Sequence, residues 1–152
     1  MQLHIYTDGA YSSKTKVGGW GIVVVQDQSN SPYYINSNWQ KDTTNNRMEL
    51  VALLEALKFA SKSDFQTIIY TDSAYIASCF SEKWYVKWKL NGWKTAKKTP
   101  VLNKDLWEEI LTIYSSCPHI DIKKIEGHSN NKWNELADTI AVKARIKGAQ
   151  IN

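Results

Sequence analysis

Residues 33–71 read YYINSNWQKDTTNNRMELVALLEALKFASKSDFQTIIYT, and the changes of pattern inside that stretch decide the fold. Tyr33 to Trp39 is a β-rich run. Asn46 to Ala60 then places Leu50, Leu53, Leu54 and Leu57 at helical spacing, opened by the capping residues Thr43, Thr44, Asn45 and Asn46. Thr67 to Thr71 reads as a buried strand. A helix joining two strands in this way is a crossover connection, which points to a mixed sheet with parallel members and helices packed on its faces.

Toward the amino end, Leu3 to Thr7 and Trp20 to Gln26 are two more strand patterns. Gly18-Gly19 and the Ser29 to Pro32 cluster supply turns, with Asn30-Ser31-Pro32 as a hairpin connection, so the first three strands form an antiparallel meander. Toward the carboxyl end, Asp72-Ser73 looks like a helix start leading through Tyr75, Ile76 and Cys79. A basic segment divided by Gly92 follows, then a helix over Leu106 to Tyr114, a strand carrying Ile120, Ile122 and Ile125, and a final helix from Trp133 to Ile146. The class is a layered α/β domain.

The 152 residues, 43% hydrophobic and 22% charged, suit one domain over residues 1–152 with one sizeable core. The first residues have no basic or apolar leader pattern, and the longest clean apolar run, Ile22 to Val25, is too short for a bilayer. A soluble, unprocessed protein without membrane association is expected, with the cytoplasm as its location and the monomer as the default state. Cys79 and Cys117 read as reduced packing thiols. A net charge of +4 is modest, but its placement is uneven. Seven lysines and no acid lie between Lys83 and Lys104, leaving 12 of the 19 Lys+Arg against all 15 Asp+Glu elsewhere. The protein is an acidic body with one basic segment.

Four acids carry the chemical argument. Asp8 ends the first strand pattern in Tyr6-Thr7-Asp8-Gly9, and Asp72 ends the fourth in Tyr70-Thr71-Asp72-Ser73, so the two lie side by side if those strands pair. Glu49 sits in the first turn of the long helix and Asp138 in the first half of the last. Each has an ordinary explanation when taken alone: a turn residue before Gly9, a helix N-cap, a capping-box partner of Asn46, and a solvated helix charge. Together they repel unless a cation neutralises them, and a hard divalent ion prefers such oxygen ligands. Two such ions can activate water and stabilise a leaving oxygen, which is the chemistry of phosphodiester hydrolysis. His4, His119, His128 and the two cysteines show no zinc spacing, and neither a phosphate-binding Gly-rich Lys-Ser/Thr loop nor a Gly-x-Ser-x-Gly motif is present.

Thr7-Asp8-Gly9, Thr44-Asn45-Asn46-Arg47-Met48-Glu49-Leu50, Thr71-Asp72-Ser73, Gly127-His128 and Asn134-Glu135-Leu136-Ala137-Asp138 resemble, in order and spacing, the signature of type 1 ribonuclease H. Gly92-Trp93-Lys94-Thr95 and Asp105-Leu106-Trp107 extend the resemblance over essentially the whole chain. It implies a ribonuclease H-like fold: a five-stranded mixed sheet, three antiparallel strands then parallel additions, flanked by helices. It further implies hydrolysis of the RNA strand of RNA:DNA hybrids, leaving 5′-phosphate and 3′-hydroxyl ends. Asp8, Glu49, Asp72 and Asp138 would hold two Mg²⁺ ions, with Mn²⁺ as a substitute. His128, otherwise an ordinary loop histidine, would assist proton transfer or product release.

The resemblance makes residues 83–104 a basic protrusion that grips the DNA strand of the hybrid. Lys83, Trp84, Lys87, Trp88, Lys89, Trp93, Lys94, Lys97 and Lys98 are its candidate contacts, through lysines that neutralise phosphates. Trp84 and Trp88, four apart, also read simply as packing residues, and the lysines as a solvated face. Asn45 and Asn46 are candidate minor-groove readers, while Thr44 and Asn103 match positions that hold a DNA phosphate. Asp42, Ala74 and the loop Ser12 to Lys16 depart from the pattern of many relatives and bear on substrate contacts. Two other classes remain: a catalytically silent nucleic-acid-binding module, and another nuclease or strand-transfer enzyme on the same fold. The four intact acids and the Asn-Asn-Arg-Met-Glu context of Glu49 favour the hybrid nuclease.

Overall fold

The computed structural model describes residues 1–125 and 131–151. Its strands are β1 (Gln2–Ser12), β2 (Val17–Gln26), β3 (Tyr34–Lys41), β4 (Gln66–Thr71) and β5 (Ile120–Lys124). Its helices are α1 (Asn45–Ala60), α2 (Ala74–Ser81), α3 (Trp84–Leu90), α4 (Lys104–Ser115) and α5 (Lys132–Gln150). The strands form one sheet in the order β3-β2-β1-β4-β5. β1, β2 and β3 pair antiparallel, while β4 and β5 add in parallel beyond β1. The meander and the crossover helix are therefore as the sequence pattern predicts. No helix among the described residues is long and apolar enough to cross a membrane.

Strand alternation distributes the core over both faces of the sheet. Leu3 and Ile5 of β1, with Trp20, Ile22 and Val24 of β2, pack with the buried residues of α1, α2 and α4. Tyr6, Val23 and Val25 point the other way and pack with Ala137 of α5. Glycines let α5 settle closely on the sheet: a Cβ at Gly19 would lie 2.2 Å from the Ala141 carbonyl oxygen, and one at Gly21 2.4 Å from Ile140. Cys79 and Cys117 are free thiols buried in the larger core.

One boundary differs from the pattern in a way that matters for the site. β1 does not stop at Thr7 but continues through Asp8 and Gly9 to Ser12, because its antiparallel partner continues with it, pairing Asp8 with Gly21 and Ser12 with Val17. Its parallel pairing with β4 ends sooner, at Tyr6 with Tyr70. Past that point the β4 side of β1 is open, and the Thr7 hydroxyl donates to the Tyr70 carbonyl at 2.8 Å to tie the diverging strands together.

Candidate active site

The β1–β4 register puts two acids at the same level. Asp8 and Asp72 each lie two residues beyond the last parallel pair, Tyr6 with Tyr70. α1 brings the third acid, and Gly9 sets how near: a Cβ there would lie 2.6 Å from the Glu49 amide nitrogen and 2.7 Å from the Met48 carbonyl carbon. Only glycine permits this approach of helix to strand. Carboxylate oxygens of Asp8, Glu49 and Asp72 consequently all lie within 4.8 Å of one another. Asp138 is an exposed residue of α5 outside that group of three, yet it lies near enough to Asp8 to help raise the Asp8 carboxyl.

Three of the ordinary explanations for these acids fail against the geometry. Asp8 lies inside a strand, so it is not a turn residue. Ser73, not Asp72, caps α2, its hydroxyl accepting from the Ile76 amide at 3.2 Å. Thr44 caps α1 by accepting from Arg47 N–H at 3.1 Å, and no acid lies in the first turn, so Glu49 is not a capping-box partner. For Asp138 the exposed position remains compatible with a surface charge, apart from its nearness to Asp8.

The cluster is electrostatically uncomfortable. Burial pushes the Asp8 carboxyl up from 3.8 to about 7, helped by the Asp72 charge and the nearby Asp138 carboxyl, and opposed by the Gly9 N–H that it accepts at 2.9 Å. Glu49 is driven up to about 10 by burial, then by the Asp8 and Asp72 charges. Groups held this close at neutral pH must keep protons or gain a cation. The donor set is entirely carboxylate oxygen, which suits Mg²⁺ or Mn²⁺ and not a soft metal.

The residues expected to contact nucleic acid divide by exposure. Lys83, Lys87, Lys89, Lys94, Lys97 and Lys98 are all exposed, as are Thr44, Asn45 and Asn46 at the start of α1. Lys97 and Lys98 sit at the tip of a small turn closed by a bridge between Lys94 and Pro100 and by the Thr95 and Thr99 hydroxyls at 2.7 Å. Trp88 requires correction. It is only 6% exposed, and its ring packs against Trp84, Trp93 and Trp107, so it is a packing residue of the basic segment and offers little surface to a ligand. Trp84 and Trp93 are half-buried against it. His128 lies outside the described residues.

Asn103 is the half-buried residue preceding α4, in the left-handed region at φ 62°. Its side-chain oxygen accepts from Arg47 Nη1 at 3.1 Å, and Arg47 also forks onto Asp105 through Nη1 at 3.0 Å and Nη2 at 2.8 Å. Arg47 and Asp105 stand inside the quoted motifs, but their pairing spans 58 residues and has no local signal.

The ribonuclease H family model matches residues 1–146. The chain belongs to the ribonuclease H family. Family members are endoribonucleases, and a ribonuclease H of Acetivibrio thermocellus is 42% identical over 140 residues, which is 92% of this chain and 92% of that protein. One from Caldanaerobacter subterraneus is 42% identical over 149 residues, 95% of this chain and 94% of the relative. Among solved structures, LC9-RNase H1, described as a type 1 RNase H with the type 2 active-site motif, superposes with a TM-score of 0.76 at 25% identity. That match covers 96% of this chain and 72% of the other. The ribonuclease H fold is thus present with an acidic cluster on it.

Proposed function

We propose that this ribonuclease H hydrolyses the RNA strand of RNA:DNA hybrids at the cluster of Asp8, Glu49, Asp72 and Asp138, leaving 5′-phosphate and 3′-hydroxyl ends. The observation that carries the reading is the gathering of three acids from β1, α1 and the end of β4 within 4.8 Å on this fold. These four residues would hold two divalent ions, Mg²⁺ with Mn²⁺ as a substitute. When bound, such ions lower the pKa of water and stabilise charge on the departing oxygen. The protein's own part is to hold the carboxylates in place: the β1–β4 register aligns Asp8 with Asp72, Gly9 admits Glu49, and close packing of α5 brings Asp138 to Asp8.

The exposed lysines of the protrusion neutralise phosphates of the DNA strand. Thr44 and Asn103 hold one of those phosphates, and Asn45 and Asn46, at the start of the helix that carries Glu49, read the minor groove, where 2′-hydroxyls mark the RNA strand. End-labelled RNA offered single-stranded, paired with RNA and paired with DNA, alongside a DNA duplex, tests the assignment with Mg²⁺ and with EDTA. Cutting confined to the hybrid's RNA strand and abolished by EDTA is expected. Binding without cutting would make the chain a silent module, and cutting of DNA would assign it to another branch of the fold.

A further inference from the structure

Arg47 joins the two residues that the proposed function assigns to a DNA phosphate. Its main-chain N–H donates to the Thr44 hydroxyl oxygen, and its guanidinium donates to the Asn103 side-chain oxygen. A guanidinium has only donors, so the Asn103 atom facing it is the carbonyl oxygen, and the amide NH₂ is turned away from Arg47. The Thr44 oxygen is likewise occupied as an acceptor, which frees its O–H to donate. Asp105 receives the rest of the fork, and the hydrogen bonds from Arg47, with its charge, hold the Asp105 carboxyl below the usual carboxylate range. The Asp105 charge is thereby matched next to a site meant for an anion.

Two further details fit a residue arranged for binding and not for helix stability. An Asn at a helix N-cap ordinarily accepts from the helix's own first amides, yet Asn103 makes no such bond. It also adopts a left-handed backbone that Asn tolerates better than most residues, at some cost. Its side chain is thus held by Arg47, across from the start of α1, and not by α4.

We propose that Arg47 is a positioning residue for substrate: its guanidinium holds Asn103 by the side-chain oxygen, beside the Thr44 hydroxyl that the main-chain cap bond already fixes, and so presents the Asn103 amide to a backbone phosphate of the DNA strand. The inference rests on the reading of Thr44 and Asn103 given above, and it assigns Arg47 no contact with the reacting atoms. Lysine would not replace it, because a single ammonium lacks the planar fork needed to hold Asp105 and Asn103 together.

The test is steady-state cleavage of the hybrid with thermal unfolding of each variant measured in parallel. Arg47→Ala and Asn103→Ala should each raise KM about ten-fold, the loss of one hydrogen bond to a charged group, while kcat stays within about two-fold. The double variant should be no worse than either single one, and Arg47→Lys should not rescue. Should Arg47→Ala fold poorly, Asp105→Asn loosens the fork with Arg47 intact and should raise KM by a smaller factor. Unchanged KM in Asn103→Ala and Thr44→Val would remove the phosphate site itself, and the inference with it. Raised KM in those two, combined with a lowered Tm but normal KM in Arg47→Ala, or with additive effects in the double variant, would overturn the role of Arg47 alone.

Discussion

Replacing Asp8 by asparagine should make the metal-free protein more stable while abolishing cleavage. Raised from 3.8 to about 7 in the folded state, the buried Asp8 carboxyl is disfavoured as an anion by about 4 kcal/mol. A folded pKa above the unfolded one means that the native state binds more protons, so stability is full below about pH 4, falls as pH rises toward 7, and then levels. Glu49, raised to about 10, extends the decline to higher pH. Asparagine carries no charge but satisfies the site imperfectly, so roughly 1–3 kcal/mol of the penalty should be recovered at pH 8. For a domain of this size that is a rise in Tm of about 3–10 °C. Thermal unfolding in EDTA from pH 4.5 to 8.5 measures it. Wild-type Tm should fall across that range, Asp8→Asn should fall less and cross above it, and Mg²⁺ should restore the wild type alone. A wild-type Tm that rises from pH 5.5 to 8 in EDTA, or an Asp8→Asn Tm below wild type at pH 8, would refute the raised Asp8 pKa that burial and the neighbouring acids impose.

The remaining predictions concern how the acids are held and how the hybrid is bound. Gly9→Ala should cost about 3 kcal/mol and most of the activity, since its Cβ meets backbone of α1 and displaces Glu49; an unaltered Tm would show that the helix can retreat freely. Glu49→Gln should impair cleavage more than Asp138→Asn, because Glu49 belongs to the inner group of three and Asp138 lies exposed beyond it; the ratio of their kcat values decides this. Removing both Lys87 and Lys89 should leave Tm nearly constant and flatten the logarithmic salt dependence of hybrid binding by about one for each phosphate no longer neutralised. An unchanged slope would return those lysines to the role of a solvated face.

The parts of this site that could be read from sequence are those made by local periodicity and by a repeated motif. Tyr6-Thr7-Asp8 and Tyr70-Thr71-Asp72 are the same three residues at corresponding places, and the parallel register pairs Tyr6 with Tyr70 and so sets both acids two residues further on, which made Asp8 and Asp72 readable as neighbours once the crossover was recognised. What stayed hidden depends on the third dimension. Asp8-Gly9 has the local look of a turn, and only the continued pairing with β2 and the approach of α1 show that the glycine makes room for a helix. Trp88 alternates with lysines just as an exposed aromatic would, and helical spacing alone could not say which side of a seven-residue helix faces the core. The bond from Arg47 to Asn103 joins residues that no periodicity connects. In each case the chemistry was visible as residue type, and what the sequence lacked was the distance. The acids illustrate why that distance is decisive: separately they have ordinary uses in turns and caps, and it is their burial together, which with their mutual repulsion raises the Asp8 and Glu49 pKa values, that creates a demand for a cation.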